Sequence, residues 1–182
     1  MLDRQDLAVV STDDLHALYL AHSSELRLTL YRLAGNLVDP NDLLQDVFMV
    51  ALDNRAELAR AASARAWLFG VAAKVAATRR RGARLRQFFG LDHAKSVLAP
   101  ESPLRTLEQK EASQRIASAL NRLSSGKREV FVLFELQRMK GEEIAQALGI
   151  PLKTVWTRLY HARREVSAQL LRLAAMERAH HA

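Results

Sequence analysis

The chain has 182 residues, 49% of them hydrophobic, which is enough for one domain or two small ones and is not the composition of a disordered tail. It contains no Cys, which excludes disulfides, thiolate metal sites and cysteine redox switches. No apolar run approaches the roughly 20 residues that a membrane span needs, so membrane insertion is not expected. The net charge of +7 is unevenly spread. Residues 1–60 carry ten acids against five bases, residues 61–90 seven bases and no acid, and residues 126–182 ten bases against six acids.

Only 4 Pro and 7 Gly interrupt a chain rich in Ala, Leu, Arg and Glu, a composition that favours helix throughout. Asp3, Asp6, Asp13 and Asp14 give the N-terminus none of the basic, then apolar, pattern of a signal peptide. A cytoplasmic protein is expected. The basic parts suit a polyanion such as nucleic acid. The acidic first third suits a basic protein surface, or is a solvated face.

Thr12, followed by Asp13 and Asp14, reads as a helix start with acids in its positive first turn. Leu15, Leu18, Tyr19, Leu26, Leu30 and Leu33 keep the helical period, and Gly35-Asn36 ends it. Asp39 caps a second helix, with Pro40 at its first position. Leu44, Val47, Phe48 and Ala51 form its buried stripe, and its other face shows Asp42, Gln45, Asp46 and Asp53. Residues 54–63 read as a loop. Ser63 then caps a third helix carrying Trp67, Leu68, Val71, Ala72 and Val75, which ends in Arg79-Arg80-Arg81 with Lys74 before it and Arg84 and Arg86 beyond. Thirty residues without an acid argue for a nucleic-acid contact over a neutral solvated face or a membrane-surface helix.

Residues 87–103 lose the period and read as a connecting segment containing Phe88-Phe89-Gly90 and Ala99-Pro100-Glu101-Ser102-Pro103. Ser102 is the expected cap of the next helix, with Ile116, Ala119, Leu120 and Leu123 inward and a break at Ser124-Ser125-Gly126. Another helix carries Val130, Phe131, Leu133, Phe134 and Leu136. The stretch 141–159 reads as two short helices around a tight turn. Ile144, Ala145 and Leu148 share a face, Gly149 takes the positive φ, Ile150 packs under the turn and Pro151 opens a helix whose inward residues are Val155 and Leu159. Lys153, Thr154, Trp156, Thr157 and Arg158 lie near its N-terminal end, the part of a recognition helix that enters the major groove. Val166, Leu170, Leu171 and Leu173 carry the period on, before a tail expected to fray. The expected fold is all-α: two small helical domains joined by a linker, the second with a helix-turn-helix.

Two segments, in order, resemble one family. The chain is similar to the extracytoplasmic-function sigma factors, compact two-domain members of the bacterial housekeeping sigma family. Asp42-Leu-Leu-Gln45-Asp46-Val-Phe48 resembles the polymerase-binding helix, and Ala66-Trp67-Leu68-Phe69-Gly70-Val71-Ala72 the start of the helix that reads the melted promoter element. In the second half, Ala119-Leu120-Asn-Arg-Leu123, Arg128-Glu129-Val130-Phe131, Glu143-Ile144-Ala145, Thr154-Val155, Arg158-Leu159 and Ala162-Arg163 resemble the minus-thirty-five domain. Four positions depart from the family: Lys74 stands where Asn is usual, Thr78 where Asp is usual, Gly70 where a larger polar or basic residue is frequent, and His161 where Arg is common.

The resemblance implies a polymerase and minus-ten domain at 10–87, a linker at 88–103, a minus-thirty-five domain at 104–174 and a frayed tail at 175–182. It implies that Asp42, Gln45 and Asp46 meet a basic coiled coil of core RNA polymerase, with Leu43 and Phe48 as apolar partners or supports. Phe48 is as readily a core residue as a contact. Arg55 and Arg60, in the segment that captures a flipped base, would join Lys74, Thr78, Arg79 and Arg81 on minus-ten DNA. Trp67 is a core residue or a base platform. Arg128, Lys153, Thr154, Trp156, Thr157, Arg158 and Arg163 would meet minus-thirty-five DNA. Core RNA polymerase, promoter DNA and an anti-sigma factor are the implied partners. A sigma factor performs no covalent chemistry, and neither a cofactor nor a metal is expected, since the six His are scattered without acids at catalytic or metal spacing. Rival readings are a helix-turn-helix regulator that binds DNA alone and a sigma mimic acting as an adaptor without DNA binding.

Overall fold

The computed structural model describes residues 10–91 and 106–180. Every regular element among them is helical: α1 (Thr12–Ala34), α2 (Pro40–Asp53), α3 (Arg55–Arg60), α4 (Ala64–Phe88), α5 (Leu107–Arg122), α6 (Ser125–Phe131), α7 (Gly141–Leu148) and α8 (Leu152–His180). A π-helical turn, Val132–Leu136, continues α6.

Local chemistry sets most of the helix starts. Ser11, one residue before the expected start, caps α1: its Oγ accepts from the Asp14 N–H at 3.0 Å, and the Asp14 carboxylate accepts from the Ser11 N–H at 3.1 Å. Asp39 and Ser63 cap α2 and α4 as expected. The anticipated Ser102 cap lies outside the described residues. Thr106 caps α5 with Gln109 as its reciprocal partner. Gly149 ends α7 with φ 67° and ψ 39°, the left-handed conformation expected of it.

Four boundaries differ from expectation. The loop at 54–63 contains α3, because Arg-Ala-Glu-Leu-Ala-Arg has good helix formers and Leu58 is buried. Helix α4 runs past Arg81 to Phe88, since one Gly82 costs only about 1 kcal/mol and Ala83 is buried. The break after α5 falls at Leu123–Ser124, so Ser125 and Gly126 belong to the first turn of α6. Helix α8 also continues to His180, through the segment expected to fray.

Helices α1, α2 and α4 pack around Leu26, Leu30, Leu43, Val47, Leu68 and Ala72. Helices α5 to α8 pack around Leu120, Val130, Leu133, Ile144, Val155 and Leu159. The two groups share one continuous core, with α4 against α7 and α1 against α5 and α6. Gly70 permits the α4–α7 approach: a Cβ there would stand 2.6 Å from the Ala147 Cβ. That accounts physically for a small residue at this position.

Arginines seal the rest of the seam. Arg128 is 1% exposed and donates to the carbonyls of Leu120 (2.7 Å), Leu33 (3.0 Å) and Leu123 (3.2 Å). Arg80 donates to the Ala34 carbonyl (3.3 Å) and to the side chain (3.2 Å) and carbonyl (3.3 Å) of Asn121. Both guanidiniums sit where α1 and α5 end. There the last carbonyls lack helical partners and the helix dipoles are negative. Burial, with the nearby Arg84 charge, lowers the Arg80 pKa to about 10, so it stays charged at neutral pH. Beyond the π turn, Gln137 donates to Thr29 Oγ1 at 2.6 Å and accepts from Arg65 at 3.2 Å.

Candidate functional surfaces

The outward face of α2 follows from its period. With Leu44, Val47 and Ala51 inward, Asp42 and Gln45 are exposed and Asp46 is half-buried. Leu43, expected as an apolar partner or support, is completely buried. It can support the face from below but cannot be touched by a partner. Phe48 is half-buried, with its ring edge-on to Tyr19 at 5.0 Å. Met49 and Leu52, 56% and 40% exposed, extend the face and were missed by the sequence reading. Their signal was present: neither falls on the apolar stripe, yet both are apolar.

A groove of about 690 Å³ lies between α2, α3, α4 and α7. Val50, Trp67, Val71 and Val75 supply apolar lining, and Lys74, Thr78 and Arg79 line it from α4. Trp67 packs against the core and also lines the groove. Arg79 is held by Asp46 through two hydrogen bonds. Arg55 and Arg60 do not line the groove; α3 contributes Glu57 instead. The Arg60 Nε donates to the carbonyl of Ala56 within its own helix. Arg81 is exposed on another side of α4.

On α8, Lys153, Trp156 and Thr157 are exposed, while Thr154 and Arg158 are half-buried. Trp156 stands edge-on to Phe134 at 5.5 Å. The Arg158 guanidinium covers Gly126. Arg163 donates to the Glu135 carboxylate at 2.6 Å and lies over the Phe134 ring. Leu152 and Tyr160 are exposed one turn to either side of Trp156 and were also missed. Arg128 is a correction: its guanidinium is spent on three main-chain carbonyls in the interior, so it cannot contact DNA in this arrangement. Among the described residues, no group of His, Cys, Asp and Glu could hold a metal ion, and no helix is long and apolar enough to cross a membrane.

Comparison with known proteins finds two family matches in order: residues 18–86 match sigma-70 region 2, and residues 113–166 match sigma-70 region 4. The RNA polymerase sigma factor CnrH of Cupriavidus metallidurans is 34% identical over 140 residues, covering 72% of this chain and 73% of its own. The ECF RNA polymerase sigma factor SigL of Mycobacterium tuberculosis is 32% identical over 162 residues, covering 87% and 90%. The sigma factor YlaC of Bacillus subtilis is 28% identical, covering 91% and 97%. Among solved structures, the sigma factor RpoE bound to the anti-sigma factor NepR, from Bartonella quintana, shares the fold at TM-score 0.68 and 23% identity, covering 87% of this chain and 98% of that one. CnrH in complex with the cytosolic domain of CnrY aligns at TM-score 0.64 and 25% identity, covering 88% and 89%.

Proposed function

The chain belongs to the extracytoplasmic-function sigma factors of the sigma-70 family, and we propose that its α2 face binds core RNA polymerase while α4 and α8 meet the two promoter elements. It serves promoter recognition with RNA polymerase; bond-making stays with the polymerase. The observation that carries this reading is the pair of regional matches, region 2 on α1–α4 and region 4 on α5–α8.

Asp42, Gln45 and Asp46 face a basic polymerase surface, with Phe48, Met49 and Leu52 as apolar anchors. Anchors supply most of the affinity at such an interface, and charges supply orientation and on-rate. Lys74, Thr78 and Arg79 hold minus-ten DNA beside the α2–α3–α4 groove. An unstacked base could lodge in that groove, against an unstacking cost of about a few kcal/mol. Lys153, Thr154, Trp156 and Thr157 approach the major groove at minus thirty-five, Lys suiting guanine and the Thr methyl thymine. Arg158 and Arg163 are assigned to phosphates, which position without specifying. The domains are assigned as 10–87 and 104–174, joined by a linker. RpoE is found with the anti-sigma factor NepR and CnrH with the cytosolic domain of CnrY, and we assign this chain an anti-sigma partner too. Its place of action is the cytoplasm, with the polymerase.

The test is fluorescence anisotropy of the labelled chain with core RNA polymerase, with Asp42→Arg alongside. Tight binding that the variant loses supports the reading. No binding by either chain, with duplex DNA bound by the protein alone, refutes it in favour of an independent regulator.

A further inference from the structure

The far end of α4 carries a surface that, Arg81 apart, none of these assignments uses. Phe88 and Phe89 are 84% and 67% exposed, their rings edge-to-face at 5.4 Å. Leu85 and Leu91 beside them are exposed as well. Ala77, Arg81, Arg84, Leu85 and Phe88 line a shallow groove of about 370 Å³ that Ser125 of α6 closes on the other side. Arg81 and Arg84 are exposed, and neither has a carboxylate partner among the described residues.

An apolar patch alone would suit a membrane surface, a protein or a nucleobase. Charge separates these. No acid occurs between residues 61 and 90, a charge that favours a polyanion. The apolar element is a pair of bare aromatic rings, which present flat faces to other flat rings. Guanidinium forks for phosphates combined with aromatic faces for bases are the two parts of a single-strand binding surface. The patch also continues an assigned track: from Lys74 to Phe88 is fourteen residues of one helix, about 21 Å.

We propose that Phe88 and Phe89, with Arg81 and Arg84, form a stacking platform for unpaired DNA bases that extends the α4 track beyond the minus-ten contacts. The proposal rests on the sigma reading above and deepens it. Phe88 and Phe89 hold unstacked bases, and Arg81 and Arg84 hold the phosphates between them. Both phenylalanines are exposed, so replacing them leaves the core intact.

The test measures the anisotropy of a fluorescein-labelled twelve-nucleotide oligo(dT), with the full chain alone and with its core polymerase complex. Phe88→Ala/Phe89→Ala should weaken single-strand binding at least about five-fold, the lower end of what one stacked base contributes. Phe88→Trp/Phe89→Trp should retain it. Core polymerase affinity and Tm should be the same in all three chains. Equal oligo(dT) affinity in the Ala variant, or no binding even with polymerase, overturns the platform. So does a loss confined to vesicles of phosphatidylcholine and phosphatidylglycerol, or to core polymerase affinity, which would assign the patch to a membrane or a protein. Failure of the wild-type chain to bind core polymerase is a separate result and sinks the sigma reading instead.

Discussion

Arg79 and Asp46 grip each other across the α2–α4 seam, Nε to Oδ2 at 2.8 Å and Nη2 to Oδ1 at 2.9 Å. One residue is assigned to DNA and the other to polymerase, so the pair couples the two surfaces. The Arg79 side chain is more than half exposed, so the pair contributes little stability, about 0.2–1 kcal/mol. Asp46→Asn should therefore barely move Tm. It should weaken core polymerase binding while freeing Arg79 for phosphate, so that oligo(dT) binds more tightly. Anisotropy with both ligands checks this. A large fall in Tm would make the pair structural. The coupling also makes Asp42, which has no such partner among the described residues, the cleaner probe of the polymerase face.

Arg128→Met should destabilise the protein by about 1–3 kcal/mol. The Leu123 carbonyl is left unsatisfied, while the Leu120 carbonyl keeps the Leu123 N–H at 3.1 Å and the Leu33 carbonyl keeps Arg80 at 3.5 Å. Arg128→Lys should restore only part of this, because an ammonium lacks the planar fork. Urea unfolding of both variants measures it; near-wild-type stability of the Met variant would contradict the assignment.

Gly70→Ala tests the domain seam. Its Cβ would meet Ala147 at 2.6 Å, and overpacking costs about 1–3 kcal/mol. The substitution also favours helix in α4 by about 1 kcal/mol. The outcome should be intact helicity with a looser pair of domains: unchanged far-ultraviolet circular dichroism and a larger radius of gyration by X-ray scattering. An unchanged radius would show that the seam accommodates the methyl.

Gly149→Ala isolates backbone strain, because nothing lies within 4 Å of the added Cβ. A left-handed conformation costs an L-residue about 1–2 kcal/mol. That loss should appear in urea unfolding, and Gly149→Asn should lose less.

Lys153→Ala should weaken binding of polymerase holoenzyme to minus-thirty-five duplex DNA by about 1–3 kcal/mol, with core polymerase affinity unchanged. The reverse pattern, lost core affinity with DNA binding kept, would remove Lys153 from the DNA surface.

Much of this protein was legible along the chain. Caps at Asp39 and Ser63, the left-handed Gly149, and inward residues such as Val47, Val155 and Leu159 are consequences of sequence neighbours, because capping and helical periodicity act over a few residues. So were the outward positions of Asp42, Gln45, Lys153 and Thr157. What was missed was apolar on a polar face: Met49, Leu52, Leu152 and Tyr160.

Arg79, Arg80 and Arg81 mark the limit. As letters they are one basic run. On a helix, successive residues point about 100° apart, at 3.6 residues per turn. Arg79 thus reaches Asp46, Arg80 is driven under the second domain to the ends of α1 and α5, and Arg81 is left in solvent. Arg128 follows the same rule, its fate decided by the Leu33 carbonyl 95 residues away. Local sequence determined the helices and their faces, because those depend on neighbours within a turn. Which charges became surface and which became structure was decided only when the helix ends met, because an unpartnered carbonyl has a position in space that the order of residues does not state.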